Sequence, residues 1–179
     1  MLTKEWLAET LARNPALSIS IQGGAAKKDG APVPDVCSHL KPLDNEQSKY
    51  LNRKVYIYEN GKASTEKMPE LGKALVTFDS IKEYNRARDL ELMQKAGQIS
   101  QLRRQIPLHI QDAFTYDGSK IRAITYVADF AYTDSNGDYV VEDVKPFDEK
   151  RKKYRLTQAF QLKWKLVMYR YPNYKFKIF

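Results

Sequence analysis

The stretch from Ile121 to Lys145 constrains this chain most. It reads Ile-Arg-Ala-Ile-Thr-Tyr-Val-Ala-Asp-Phe-Ala-Tyr-Thr, then Asp134-Ser135-Asn136-Gly137-Asp138, then Tyr-Val-Val-Glu-Asp-Val-Lys. β-branched and aromatic residues fill both flanks, and Asn-Gly between two such runs is a strong hairpin signal. An antiparallel hairpin is expected. Strand side chains alternate with period two, so Tyr139, Val141, Asp143 and Lys145 share one face, while Val140, Glu142 and Val144 take the other. On the first strand, Asp129 takes the face of Ala123, Thr125 and Val127.

This pairing brings two carboxylates and one ammonium together. Burying such groups without partners is costly, so a folded protein must supply mutual pairing or a metal. Two carboxylates on adjacent strands can hold a divalent cation, and magnesium commonly uses one or two carboxylates plus water and substrate phosphate. Lys145 can then stabilise charge building on a phosphate or help deprotonate the attacking water. The residues are equipment for metal-assisted phosphodiester hydrolysis.

The net charge is +8, but its distribution says more than its size. Lys145 to Phe179 carries eleven Lys or Arg against two acids, so the basicity is local. Such a segment is either the footprint of a polyanion partner or a solvated, lysine-rich face. At 179 residues the chain suits one domain with a tail. No apolar run reaches the roughly 18 residues of a membrane span. The Met-Leu-Thr-Lys-Glu-Trp start lacks the apolar stretch of a signal peptide. Cys37 is alone and His39 and His109 lie far apart, which argues against disulfides and Cys or His metal sites and fits a reducing cytoplasm.

Leu2 to Arg13 reads as a helix with Trp6, Leu7 and Leu11 at helical spacing, and Gln22 to Asn45 reads as a flexible linker. Residues 1–45 are thus expected to be a helical arm and linker, and 46–179 the folded domain. Lys54–Tyr58 and Ala74–Phe78 are strand candidates with a long polar connection. Ser80–Ala96 is the clearest helix, closed by Gly97, with Glu83, Ala87, Leu90 and Gln94 on one stripe. Ser80-x-x-Glu83 is also a capping box, in which Glu83 serves a backbone N–H and does no chemistry. Taken locally, the pattern favours the cap.

Ile99–Leu102 and Ile106–Ile110 read as two short extended segments around Arg103-Arg104-Gln105, and Gln111–Tyr116 leads into an Asp117-Gly118 turn. Pro146 ends the Lys145 strand and Phe147–Lys153 is a charged loop. A helix is expected from Tyr154 to Tyr169, and Tyr174–Ile178 alternates as a last strand. Phe160, Trp164 and Val167 on that helix read as core rather than as a base-stacking platform.

A helix with an acid near its start, then Asp129, a gap of 13 residues and Asp143-Val144-Lys145, resembles the PD-(D/E)XK nuclease superfamily, the restriction-endonuclease-like fold. More narrowly, Phe78–Glu83, Leu92–Ile99, Arg122–Phe130, Val141–Lys145 and Tyr171-Pro172 are similar to a family of small phage and prophage proteins, described as uncharacterised or as Holliday-junction-resolvase-like. The similarity spans about Ser48 to Ile178. It implies an α/β (α+β) domain with a mixed central β-sheet flanked by helices. It also implies that Asp129 and Asp143 ligate Mg2+ or Mn2+, that the Val144 carbonyl is a further ligand, and that Lys145 is the catalytic lysine. Glu83 becomes the helix-borne acid that completes or orients the site, a role that capping does not exclude. Gln158 lies where some relatives carry a helix glutamine, with Gln161 competing. Ala128 stands where proline is common, and Gly61–Lys73 is longer than the usual tight hairpin. Glu142 is set aside as a ligand because alternation puts it on the face opposite Lys145.

The expected function is a magnesium-dependent endodeoxyribonuclease of phage origin, acting in the bacterial host cytoplasm without a membrane. Lys150, Arg151, Lys152, Lys153, Arg155 and Lys163 are the expected contacts to backbone phosphate, which position DNA without reading its sequence. That favours branched DNA, and symmetric cutting of a four-way junction implies a two-fold homodimer. The N-terminal arm is a candidate for contact with a protein partner. The alternative is a nucleic-acid-binding module of nuclease fold without turnover, acting with a phage recombination or packaging partner.

Overall fold

The computed structural model describes residues 53–179 and the backbone of Ala31–Pro32. The expected hairpin is its centre. Strands β8 (Ile124–Asp134) and β9 (Tyr139–Asp143) pair antiparallel from Thr133↔Tyr139 to Phe130↔Glu142. The turn closes where the Asp134 N–H meets the Asp138 carbonyl and the Gly137 N–H meets the Asp134 carbonyl, both at 3.0 Å. Gly137 has φ 84°, a conformation that costs any residue with a Cβ, so glycine at this position sets the turn.

Around the hairpin lies a five-stranded sheet in the order β1 (Ala31–Pro32), β5 (Ile99–Gln111), β8, β9 and β12 (Lys175–Ile178). Neighbours are antiparallel except β12, which runs parallel to β9. A parallel neighbour needs a crossover, supplied by helix α2 (Gln158–Arg170). Consecutive β9 residues face opposite ways. Val140 packs with Tyr84, Ala87 and Leu90 of helix α1 (Ile81–Lys95), and Val141 packs with Phe160, Trp164 and Val167 of α2. One helix therefore covers each face, giving the mixed, helix-flanked sheet that was expected. A smaller antiparallel sheet, ordered β3 (Ala63–Ser64), β2 (Val55–Ile57) and β4 (Val76–Phe78), adds Val55, Ile57, Val76 and Phe78 to the α1 cluster. No helix among the described residues is long and apolar enough to cross a membrane.

Three expectations need correction. The two segments expected around Arg103-Arg104-Gln105 are one strand of 13 residues, β5. Positive φ at Gln101 and Gln105 and a register shift between Ser100 and Arg103 break its alternation, which hides the continuity from a period-two reading. Helix α2 begins at Gln158 rather than Tyr154. Lys153–Tyr154 (β11) pairs instead with Phe147–Asp148 (β10), and Thr157 Oγ1 caps the helix by accepting the Phe160 N–H at 3.1 Å. The charged loop expected at Phe147–Lys153 is thus a small hairpin. Finally, Ala31–Pro32 lie within the expected linker but pair with Arg104 and Arg103 as an edge strand, where a proline is tolerated. The helical arm and the rest of that linker lie outside the described residues.

Helix α1 is fastened to β9 by a buried ion pair. Arg86 Nε and Nη2 donate to Glu142 Oε1 and Oε2 at 2.5 and 2.8 Å, and the Tyr132 hydroxyl donates to Oε2 at 3.0 Å. The guanidinium also stacks 4.1 Å from the Phe179 ring centroid. Burial, with the Glu142 charge beside it, pushes the Tyr132 hydroxyl up to about 12, so it stays a donor. Removing one partner leaves the other charged and buried. Arg86→Ala is expected to lower unfolding free energy by about 3–5 kcal/mol, read as a shift of the urea midpoint.

Candidate active site

Continuing the β8–β9 ladder by one residue past Phe130↔Glu142 sets Asp129 opposite Asp143. Asp129 Oδ2 accepts the Val144 N–H at 2.7 Å. Asp143 Oδ2 accepts the Tyr126 hydroxyl, and Oδ1 pairs with the Lys145 ammonium. Lys145 Nζ also lies 3.5 Å from the Val144 carbonyl oxygen and 4.6 Å from the centre of the Phe160 ring. Past the end of β9 the backbone is still held on both sides. The Lys145 N–H donates to Phe179 O at 2.9 Å, and the Lys145 carbonyl accepts Lys82 Nζ at 2.9 Å. Glu142 points the other way, to Arg86 and Tyr132, as alternation requires.

Glu83 reaches this region from the first turn of α1. Ser80 Oγ accepts the Glu83 N–H at 3.0 Å, which is half of the capping box. Glu83 Oε2 then accepts the N–H of Asp79 at 2.9 Å, one residue before the cap. The other oxygen, Oε1, lies 3.5 Å from Gln105 Nε2 and 3.7 Å from Arg104 Nη2. One oxygen caps while the other faces inward.

Burial is the largest influence on all three of these acids. Glu83 is pushed up to about 7, chiefly by burial and next by the charge of Asp129. Burial also raises Asp129, against the pull of the Val144 N–H and Lys145. Asp143 is raised by burial too, against Lys145. Buried carboxylate oxygens of this kind suit a hard divalent cation. Among the described residues no three Asp, Glu, His or Cys side chains converge into a finished cage. Both Asp143 oxygens are engaged, whereas among the described residues only Oδ2 of Asp129 is, so a cation at Asp143 competes with Lys145 for Oδ1. The donor set fits a cation held by Asp129 and Asp143 beside the Val144 carbonyl.

The basic residues gather on the α2 side. Arg151, Lys152, Lys153 and Arg155 line an open groove of about 820 Å3 together with Thr157 and Gln161. Lys150 is exposed nearby, while half-buried Lys163 lies on α2 outside the groove lining. Two of the cations are partly neutralised, Arg155 by Asp148 at 3.3 Å and Lys152 by Glu149 at 3.3 Å. Gln158 is exposed, and Gln161 Nε2 donates to the Leu156 carbonyl at 3.2 Å, so neither is bonded to Lys145.

Two residues at the site escaped sequence reasoning. Tyr126 looked like one more strand aromatic, and only the fold puts its hydroxyl on Asp143. Arg104 donates to the Thr77 carbonyl at 2.8 Å and stacks on Phe78 at 4.5 Å, with its buried Nε unbonded among the described residues. Its signal was a charged pair, Arg103-Arg104, interrupting an otherwise apolar extended stretch.

A family model described as "Protein of unknown function (DUF1064)" matches residues 47–179. The chain belongs to this family. The DUF1064 match contains every candidate site residue named above, from Glu83 to Lys163, and begins beyond the N-terminal arm. No curated protein and no solved structure matches the chain.

The raised carboxylates carry a pH signature. Glu83 has a folded value of about 7 against an ordinary 4.5, so between these values the native state binds more protons than the unfolded state. Stability therefore falls as pH rises from about 4.5 to 7, in the same direction as the shifts of Asp129 and Asp143. Urea titrations of metal-free protein across this range are expected to show that decline. Glu83→Gln keeps an oxygen for the Asp79 N–H and is expected to flatten it.

Proposed function

We propose that this DUF1064 chain is a metal-dependent endodeoxyribonuclease with a restriction-endonuclease-like core. The observation that carries the reading is the juxtaposition of Asp129 and Asp143 on paired strands, with Lys145 on the same face and already in contact with Asp143. Asp129, Asp143 and the Val144 carbonyl would hold a Mg2+ or Mn2+ ion, which would supply Lewis-acid polarisation of the phosphate and a lowered pKa for water. Water attacks phosphorus in line and the P–O3′ bond breaks, leaving a 5′-phosphate and a 3′-hydroxyl. Lys145 exchanges its contact with Asp143 for a phosphate oxygen and stabilises the charge that builds there. Tyr126 holds Asp143 in place by its hydroxyl, and Glu83 orients the site from α1. Basic residues of the α2-side groove take the backbone phosphates, which supports selection by DNA structure over selection by sequence. Symmetric cutting of a four-way junction requires a two-fold dimer. The resemblance supports a site of action in the cytoplasm of a phage-carrying host.

A second reading is a binding module without turnover. One observation favours it: both oxygens of Asp143 are already taken by Tyr126 and Lys145. Cleavage separates the two. Wild type and Asp143→Ala are incubated with labelled linear duplex, single strand, flap and four-way junction in Mg2+, Mn2+ or EDTA. The expected result is metal-dependent cutting of the branched DNAs, reduced on the order of a hundredfold or more in Asp143→Ala and in Lys145→Met. Salt-sensitive binding with no cutting of any substrate selects the binding module.

Neutralising Arg151 and Lys153 together tests the groove. Affinity should fall for all DNAs alike, and the slope of log K against log salt should shrink by about two, as for two lost phosphate contacts.

A further inference from the structure

Beyond β5 and β8 the chain forms a further antiparallel pair, β6 (Phe114–Tyr116) and β7 (Ser119–Ile121). Its turn, Asp117-Gly118, has positive φ at both residues, 45° and 73°, as a tight two-residue turn requires. The pairing Phe114↔Ile121 keeps the register of Gln111↔Ile124, so the hairpin is the far end of the ribbon that β5 and β8 begin. All six of its strand residues are exposed. Directly opposed residues share a face, so Phe114, Ile121 and Tyr116 lie together, exposed by 47, 37 and 71%. A two-stranded hairpin on its own is marginal in water, and packing gives no reason to leave three large apolar groups uncovered at its end.

Two features bear on what such a surface suits. First, Ile121, Ala123, Thr125 and Val127 follow each other at period two, and all four are exposed. Among the described residues nothing covers this stripe, which runs from β7 into β8 toward Asp129, about 25 Å at the strand rise per residue. Second, the other face and the edge carry cations, Lys120 opposite Thr115, with Arg122 next to Ile121. Asp112 is paired with the His109 ring at 2.8 Å. Aromatic faces alternating with cations suit unpaired bases on a phosphate backbone, whereas the six exposed side chains named on this face fall far short of the roughly 20–30 residues a side of a stable protein interface.

From this placement we infer that the β6–β7 hairpin is a stacking platform for unpaired nucleobases, using Phe114 and Tyr116. This rests on the nuclease reading and deepens it. The platform selects DNA with single-stranded character at a fixed distance from Asp129, while the α2-side groove takes paired backbone.

Binding in EDTA tests the platform without any turnover. The probes are a duplex with a short gap carrying 2-aminopurine opposite it, and the same sequence fully paired. Wild type is expected to quench the 2-aminopurine. Phe114→Ala with Tyr116→Ala should lose the quenching and bind the gapped DNA roughly tenfold or more weakly, leaving the paired duplex unchanged. Phe114→Trp with Tyr116→Trp should restore both. Equal affinity of wild type and the alanine variant for the gapped DNA overturns the inference. So does a wild-type dimer that becomes monomeric in the alanine variant by sedimentation, which makes the patch a protein contact. Quenching that depends on the two aromatics in a protein that cuts no DNA upholds the platform and removes the nuclease.

Discussion

The buried Arg86–Glu142 pair decides where everything else in this molecule sits. Glu142 and Asp143 are neighbours on β9, and the pleat sends them to opposite faces. Glu142 goes toward α1 and takes a two-pronged hold on Arg86. Asp143 goes toward α2 and takes Tyr126 and Lys145. Arg86 lies three residues after Glu83, on the same side of the helix. Clamping Arg86 therefore sets the rotation of α1 that brings Glu83 beside Arg104 and Gln105. A buried ion pair is weak evidence for net stability, because desolvation offsets its attraction. Here it works as a registration device between a helix and a strand.

What local pattern could show of this arrangement was the part governed by period. The Asn136-Gly137 turn, the alternation that separates Glu142 from Asp143, and the Ser80 cap with Gly97 past the helix end all follow from nearest-neighbour chemistry. What stayed hidden depends on partners distant in sequence. Tyr174–Ile178 alternates whether its neighbour is parallel or antiparallel, and only α2 as crossover makes β12 parallel to β9. Tyr154 looks helical until its pairing with Phe147 claims it. Tyr126 and Arg104 join the site because β8 and β5 carry them there, and no spacing rule connects either to Asp143 or Glu83.

The distortion at Gln105 explains why Asp129 was only half legible. In β8, Tyr126 and Ala128 enter the α2 cluster, yet Phe130 and Tyr132, of the same parity, enter the α1 cluster. In β5, Leu102 belongs to the α1 cluster and Ile106 and Leu108 to the α2 cluster, so the switch occurs at the pair formed by Gln105 and Asp129. Gln105 has φ 53°, a strained value for a residue with a side chain. Asp129 thus sits where the sheet turns over. From there burial raises its own pKa against the pull of Lys145 on the α2 side, and its charge in turn raises that of Glu83 on the α1 side.

Among the described residues the same turnover leaves the far half of the ribbon with one face bare, and an uncovered ribbon is a hazard if its edge is also open. The edge of β5 is closed at His109, where the Tyr171 hydroxyl accepts the N–H at 3.1 Å and donates to the carbonyl at 3.0 Å. Pro107 has no N–H to offer two residues earlier. Backbone pairing with another chain is therefore blocked along this stretch, while the face of Thr125 and Val127 is left accessible. Where the β5 edge is closed and the face is open, the ribbon can accept a ligand through side chains but not by strand addition along β5. That physical distinction separates a recognition surface from an aggregation site.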